Sequence, residues 1–301
     1  MADVIIVGAG PAGLSAAIYV QRAGKTALVL EAMTYGGQII NTPEVENYPG
    51  IKSISGFEFA TALYEQATGL GAEILFDRVD KIEDMGELKK VITAGGKEYT
   101  AKAVILATGA KNRRLGIDRE ETLTGSGVSY CATCDGAFFR GKPVAVNGGG
   151  NTALEDAMFL SNYCSKVYVI HRREGFRGEP ATLELLKAKE NVEFVLNATV
   201  TRLIGEPKLS AVEVTDKITG ETRELTVDGL FVAIGQTPEN KPFEDVVDLD
   251  PAGYIAAGED CLTKTPGIFT AGDCRTKSVR QLTTAASDGA VAALAACSFL
   301  G

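Results

Sequence analysis

Two cysteines and a carboxylic acid stand together at Cys131-Ala-Thr-Cys134-Asp135, and their types and spacing point to redox chemistry. A C-x-x-C pair in a tight turn can close a small disulfide, because the turn brings the Cβ atoms within bonding reach and nearby N–H groups can lower one thiol pKa. Two blander readings are half of a zinc site and a pair of small buried residues. Zinc normally takes four Cys or His ligands, and the chain offers no second C-x-x-C, no C-x-H and a single histidine. What surrounds the pair decides between these readings.

The chain opens on Asp3-Val-Ile-Ile-Val7, a β-branched run that predicts a buried parallel strand, and passes at once into Gly8-Ala-Gly10-Pro11-Ala12-Gly13. An amphipathic pattern through Leu14, Ala17, Ile18 and Gln21 predicts a helix ending near Gly24. Thr26-Ala-Leu-Val-Leu30 then supplies a second strand that finishes on Glu31. This is a complete βαβ unit with G-x-G-x-x-G in place. The glycines let backbone N–H groups and the helix N-terminus approach a pyrophosphate, and the terminal acid accepts hydrogen bonds from a ribose.

A second copy follows the cysteines. Lys142-Pro-Val-Ala-Val146 leads into Asn147-Gly148-Gly-Gly150-Asn151-Thr152-Ala153, a G-x-G-x-x-A between a strand and a helix with an apolar face of Ala153, Leu154, Ala157, Met158 and Leu160. Lys166-Val-Tyr-Val-Ile170 is the next strand. The step that leads from Gly8 to Glu31 leads from Gly148 to His171, so the acid is missing here and His171-Arg172-Arg173 stands in its place, with Arg177 just beyond. A carboxylate would repel a 2′-phosphate, whereas guanidinium forks bind one bidentately, which predicts a preference for NADPH over NADH.

Between these units, short alternating segments at 72–99 and again at 192–214 predict two β-meanders, the first with Gly95-Gly96 as a hairpin turn. Buried strands at 103–109 and 229–235 both end on glycine. Tyr35-Gly36-Gly37-Gln38 and Asn47-Tyr-Pro-Gly50 are glycine-rich turns, open to a binding role or to a plain loop. Near the end, Gly267-Ile-Phe-Thr-Ala-Gly-Asp273 predicts a strand whose acid either holds a polyol hydroxyl or caps a local turn. Arg280-Gln281-Leu282-Thr opens an alanine-rich helix whose N-terminal amides are suited to an electron-rich ring oxygen.

Composition sets the class. A chain of 301 residues with 45% apolar and 23% charged residues has enough core for two domains, and a net charge of −9 argues against a nucleic-acid partner. The first residues lack the marks of an export signal, and the apolar tract at 290–300 is short for a bilayer. Both features predict a soluble cytoplasmic protein. Its six cysteines then read as thiols in a reducing compartment, with Cys164, Cys261, Cys274 and Cys297 as small packed residues.

The ordered set Gly-Ala-Gly-Pro-Ala-Gly, Gly-Gly-Gln, Glu-Asn-Tyr-Pro-Gly, Ala-Thr-Gly-Ala, Cys-Ala-Thr-Cys-Asp-Gly, Gly-Gly-Gly-Asn-Thr-Ala, His-Arg-Arg-x-x-x-Arg and Ala-Gly-Asp resembles the low-molecular-weight thioredoxin reductases over essentially the whole chain. The resemblance implies an α/β fold of two Rossmann-like domains, with an NADPH domain at 113–242 inserted into a discontinuous FAD domain at 1–112 and 243–301. It implies FAD on Gly8, Gly10, Pro11, Ala12, Gly13, Glu31, Gly36, Gly37, Gln38, Asn47, Thr108, Gly109, Asp273, Arg280, Gln281 and Leu282. NADPH would lie on Gly148, Gly150, Asn151, Thr152, Ala153, His171, Arg172, Arg173 and Arg177.

It further implies a homodimer, a rotation of one domain against the other, and electron flow from NADPH through FAD to the Cys131–Cys134 disulfide and on to thioredoxin. Cys134 would face the flavin and Cys131 the substrate. With the only histidine placed on NADPH, Asp135 is the nearest acid to protonate a departing thiolate. Asn147 and Ala137 depart from the family pattern, while Phe138 and Phe139 offer either an apolar docking contact or core. Two rivals are a related flavoprotein acting on another small disulfide and a flavin-binding sensor without turnover.

Overall fold

In the computed structural model, which describes residues 2–42 and 44–301, the opening run forms the strand Val4–Val7 with every side chain buried. Its pleat sends Val4 and Ile6 into one apolar cluster and Ile5 and Val7 into another. A strand buried on both faces needs parallel neighbours, because crossover helices are what cover such a sheet. The five-stranded sheet runs in the order Ile268–Thr270, Ala103–Leu106, Val4–Val7, Ala27–Glu31, Glu73–Phe76, all parallel. The helix Pro11–Arg22 and the C-terminal helix Leu282–Leu300 pack together on one face, and the antiparallel strands Val79–Asp84, Lys89–Thr93 and Glu98–Ala101 cover the other.

The same three layers recur in the second unit. Its parallel sheet runs Val192–Val195, Lys166–Ile170, Pro143–Gly148, Gly229–Ala233, Val128–Ser129. The helices Asn151–Leu160 and Pro180–Lys187 lie on one side, and the antiparallel strands Ala198–Ile204, Ala211–Asp216 and Thr222–Thr226 on the other.

The chain divides into Met1–Lys111 with Thr237–Gly301, and Asn112–Gln236. Two short strands, Ala110–Asn112 and Gln236–Pro238, pair with each other where it passes from one unit to the other. The return crossing comes six residues before the 242/243 boundary read from the sequence. Asn240 accounts for the difference: it is buried in the first unit, where it bonds to Thr108, Gly253 and Cys274.

Two expectations need correction. The alternation near 74 and 192 predicts meander strands, but Glu73–Phe76 and Val192–Val195 are parallel edge strands of the two main sheets. A short half-buried strand at a sheet edge has the same alternation as a meander strand, so its pattern does not reveal its partner. The tract at 290–300, short for a bilayer on its own, belongs to the helix Leu282–Leu300, whose 19 residues are long and apolar enough, by length and composition alone, to cross one. Its small-residue face, Ala285, Gly289, Ala292, Ala293 and Ala296, is buried in the core it shares with Pro11–Arg22.

Candidate active site

Cys131 and Cys134 form a disulfide with their Cα atoms 5.3 Å apart, on the one-turn helix Ala132–Asp135. Cys131 caps this helix: its Sγ accepts a 3.2 Å bond from the Cys134 N–H and lies 3.4 Å from the Thr133 hydroxyl. The turn leaves no space behind it, since a Cβ on Gly136 would meet the Tyr163 hydroxyl at 2.6 Å and Leu160 at 3.0 Å. Asp135 is partly buried, and burial raises its pKa while a 2.6 Å bond from the Ser129 hydroxyl opposes the rise. The segment before the cysteines is pinned as well. Glu120, itself buried, accepts from the N–H groups of Leu115 and Gly116 and from the Tyr130 hydroxyl at 2.8 Å.

In the first unit the glycine loop and its expected companions come together. A Cβ on Gly13 would meet the Gly8 carbonyl at 1.9 Å, so only glycine lets the helix start so close under the loop. Glu31 accepts from the Ala9 N–H at 2.7 Å and from Met33 at 3.0 Å, which aims its carboxylate along the loop. Gly36 donates to the Ala9 carbonyl, bringing Gly36 and Gly37 beside Gly10, and the Gln38 amide donates to the Ala110 carbonyl. Gly272 approaches Ala12, which places Asp273 by the start of the same helix, along with Pro11.

Asp273 carries a buried Oδ1 that has no partner among the described residues, and burial raises its pKa while Lys277 and Arg280 lower it. The Arg280 guanidinium lies 4.1 Å over the Tyr254 ring. Gln281 caps the C-terminal helix, which begins at Leu282, and accepts from the Asn47 amide at 3.3 Å. Thr108 and Gly109 form the turn after Ala103–Leu106, and the Thr108 hydroxyl bonds to Asn240.

In the second unit Gly148, Gly150, Asn151, Thr152 and Ala153 make the equivalent turn into the helix Asn151–Leu160. Among the described residues beyond its chain neighbours, nothing lies within 4 Å of a Cβ built on Gly150, as on Gly10, so both loops present open backbone of the kind a pyrophosphate can approach. His171 is 6% exposed, and its ring fills the space that a Cβ on Gly149 would need, at 2.1 Å. Phe176 stacks on the ring at 4.8 Å. The imidazole therefore supports the loop from beneath at the position where Glu31 bonds Ala9 in the first unit. Arg172, Arg173 and Arg177 are exposed, and the Arg177 N–H donates to the Gly149 carbonyl, which fixes Arg177 beside the loop.

Sequence alone gives no sign of Ser129, Glu120 or Asn240. Ser129 and Glu120 bond to residues within ten positions and Asn240 to Thr108, 132 positions away, and a lone serine, glutamate or asparagine carries no local mark of which group it will meet. Of the two phenylalanines, Phe139 packs edge-on against Phe231 in the core, and Phe138 is exposed.

Comparison with known proteins agrees with this geometry. The pyridine nucleotide-disulphide oxidoreductase family matches residues 2–289. The thioredoxin reductase of Bacillus subtilis is 45% identical over 292 residues, covering 97% of this chain and 92% of its own, and that of Treponema pallidum is 46% identical over 301 residues, covering 99% and 97%. The crystal structure of the Streptococcus pyogenes thioredoxin reductase superposes with a TM-score of 0.95 at 40% identity, covering 100% of this chain and 98% of that one. With paired glycine loops, a C-x-x-C disulfide and similarity along its whole length, the chain belongs to the pyridine nucleotide-disulphide oxidoreductases and, within them, to the low-molecular-weight thioredoxin reductase family.

Proposed function

We propose that this protein is an NADPH-dependent thioredoxin reductase, in which electrons pass from NADPH through FAD to the Cys131–Cys134 disulfide and then to the disulfide of a thioredoxin. The observation that carries this reading is the Cys131–Cys134 bond itself, closed on a helical turn with Asp135 as its next residue. Thioredoxin as acceptor rests on the names of the relatives.

The first unit fits FAD. The unpartnered Asp273 Oδ1 suits a polyol hydroxyl, Glu31 suits a ribose, and the open backbone at Gly10 suits a pyrophosphate. The second unit fits NADPH through Gly150 and the exposed Arg172, Arg173 and Arg177, with His171 as a support for the loop. When bound, these cofactors supply hydride and electron transfer that brings two electrons to the disulfide.

The chain's own residues then carry the exchange. The reduced Cys131 thiolate attacks one sulfur of the thioredoxin disulfide, and the second sulfur leaves as a thiolate and takes a proton. Cys134 next displaces the remaining thioredoxin sulfur and closes the Cys131–Cys134 bond again. Asp135, kept protonated to higher pH than an ordinary carboxyl by its burial, is the proton source. The remaining thiols fit a reducing cytoplasm: Cys164, Cys261 and Cys274 are buried and Cys297 is partly so. A homodimer completes the reading by family resemblance.

The test is an anaerobic titration of the yellow holoprotein with NADPH, followed by oxidised thioredoxins. Reoxidation by a thioredoxin that is lost in Cys131→Ser is the expected result. A reduced protein that no thioredoxin reoxidises would sink the assignment of acceptor.

A further inference from the structure

We propose that Ser129 is the positioning residue of the redox turn: its hydroxyl holds the Asp135 carboxylate and the Cys131 amide in one geometry and sets how readily Asp135 takes a proton. Ser129 ends the edge strand Val128–Ser129 and pairs in parallel register with Phe231, which is 1% exposed, so its backbone is anchored in the sheet. The residue is itself 4% exposed. Its hydroxyl donates to Asp135 Oδ2 at 2.6 Å and accepts from the Cys131 N–H at 3.1 Å. A hydroxyl has one proton, and the Cys131 carbonyl, at 3.3 Å, is the poorer acceptor for it.

The short bond matters because a donor to a carboxylate favours the ionised form, whereas burial favours the neutral one. Among the described residues these are the two influences on Asp135. Its own turn carries only the paired Cys131 and Cys134. The helix Asn151–Leu160 packed beside it carries Glu155 and Asp156, and Tyr163 and Arg140 lie by the turn's far end. Among the described residues, Ser129 is the polar side chain whose hydrogen bond counters the burial of Asp135. It reaches that position from a strand and not from the turn, so the opening of the disulfide leaves its anchor in place.

This inference rests on the reading of Asp135 as the acid, and the experiment separates the two. The protonation of Asp135 is followed by infrared difference spectroscopy of the holoenzyme across pH, with Asp135→Asn identifying the band. Turnover with thioredoxin is followed over the same range. In Ser129→Ala the carboxyl midpoint moves up by about one pH unit, the size expected for losing a hydrogen bond to a charged group. Ser129→Thr, which keeps the hydroxyl, stays at the wild-type midpoint. An unchanged midpoint in Ser129→Ala overturns the proposal. A midpoint that moves while Asp135→Asn keeps full turnover at every pH upholds Ser129 as the control on Asp135 and removes Asp135 from the acid role.

Discussion

The hydroxyl of Thr108 donates a 2.9 Å hydrogen bond to the amide oxygen of Asn240. The nitrogen of the same amide donates to the carbonyls of Gly253 at 2.9 Å and Cys274 at 2.8 Å, and Asn240 has no exposed surface. One buried side chain therefore ties together the turn that carries Thr108 and Gly109 and the turn that carries Asp273. Both turns follow strands of the first sheet, and both belong to the proposed FAD site.

Replacing Asn240 by alanine removes its hydrogen bonds to the half-buried Thr108 hydroxyl and Gly253 carbonyl, while the Cys274 carbonyl keeps only the Ile255 N–H. The expected loss is about 3 kcal/mol of stability, measured by urea denaturation, together with a lower flavin content of the purified protein. Asn240→Asp should fare no better, because a carboxylate cannot donate to the two carbonyls.

Asp288 holds the opposite side of the Asp273 turn. Its Oδ2 accepts from the Gly272 N–H at 3.0 Å, from Arg275 Nε at 2.8 Å and from Lys277 Nζ at 2.8 Å, and Arg275 is 1% exposed. Asp288→Ala leaves the buried Arg275 guanidinium with only the Thr276 carbonyl and the exposed Glu259 at 3.3 Å, and should cost about 3–5 kcal/mol, read as a fall in the urea midpoint. Replacing Arg275 and Asp288 together with apolar residues of similar size should recover part of that loss, which a double-mutant cycle would measure.

Two groups of the second unit set opposing pH slopes. His171 is held below its usual 6.5 by burial, with the Gly175 carbonyl acting the other way and Arg172, Arg173 and Arg177 lowering it further. The native imidazole binds a proton less readily than the unfolded one, so its stabilisation is complete above pH 6.5 and is lost as pH falls through the lower native value. Asp156 is pushed up to about 7 from 3.8 by burial and by Glu155, so its contribution is full below pH 3.8 and is lost as pH rises through about 7.

Denaturation across pH should separate these terms. His171→Gln should flatten the fall in stability on the acid side of neutrality. Asp156→Asn should exceed the wild type above neutral pH by about 1–2 kcal/mol, and equal stability there would show that the Asp156 carboxyl ionises without cost.

The proposed role of the exposed arginines is to set cofactor choice. Arg172→Ala combined with Arg173→Ala should lower the ratio of kcat/KM for NADPH to that for NADH by at least about tenfold, since a lost charge-assisted bond is worth about 1.5–3 kcal/mol. Turnover with saturating NADPH should change little. A ratio that stays at the wild-type value would place 2′-phosphate recognition elsewhere.

Spacing along the chain already shows the two glycine turns, the acid at Glu31 against the basic run at 171–173, and the C-x-x-C pair. These are local features: spacing along a few residues dictates a strand, a tight turn and a helix start wherever the chain ends up. Folding chose the partners of these elements. It joined Glu73–Phe76 and Val192–Val195 to the parallel sheets, because a strand's neighbour is chosen by packing at long range. It turned His171 beneath Gly149, because the missing Cβ there leaves a space the size of an imidazole edge. It also brought Ser129 to Asp135 and Asn240 to Thr108, 132 residues apart, since a buried hydroxyl or amide must find its hydrogen bonds wherever the fold supplies them.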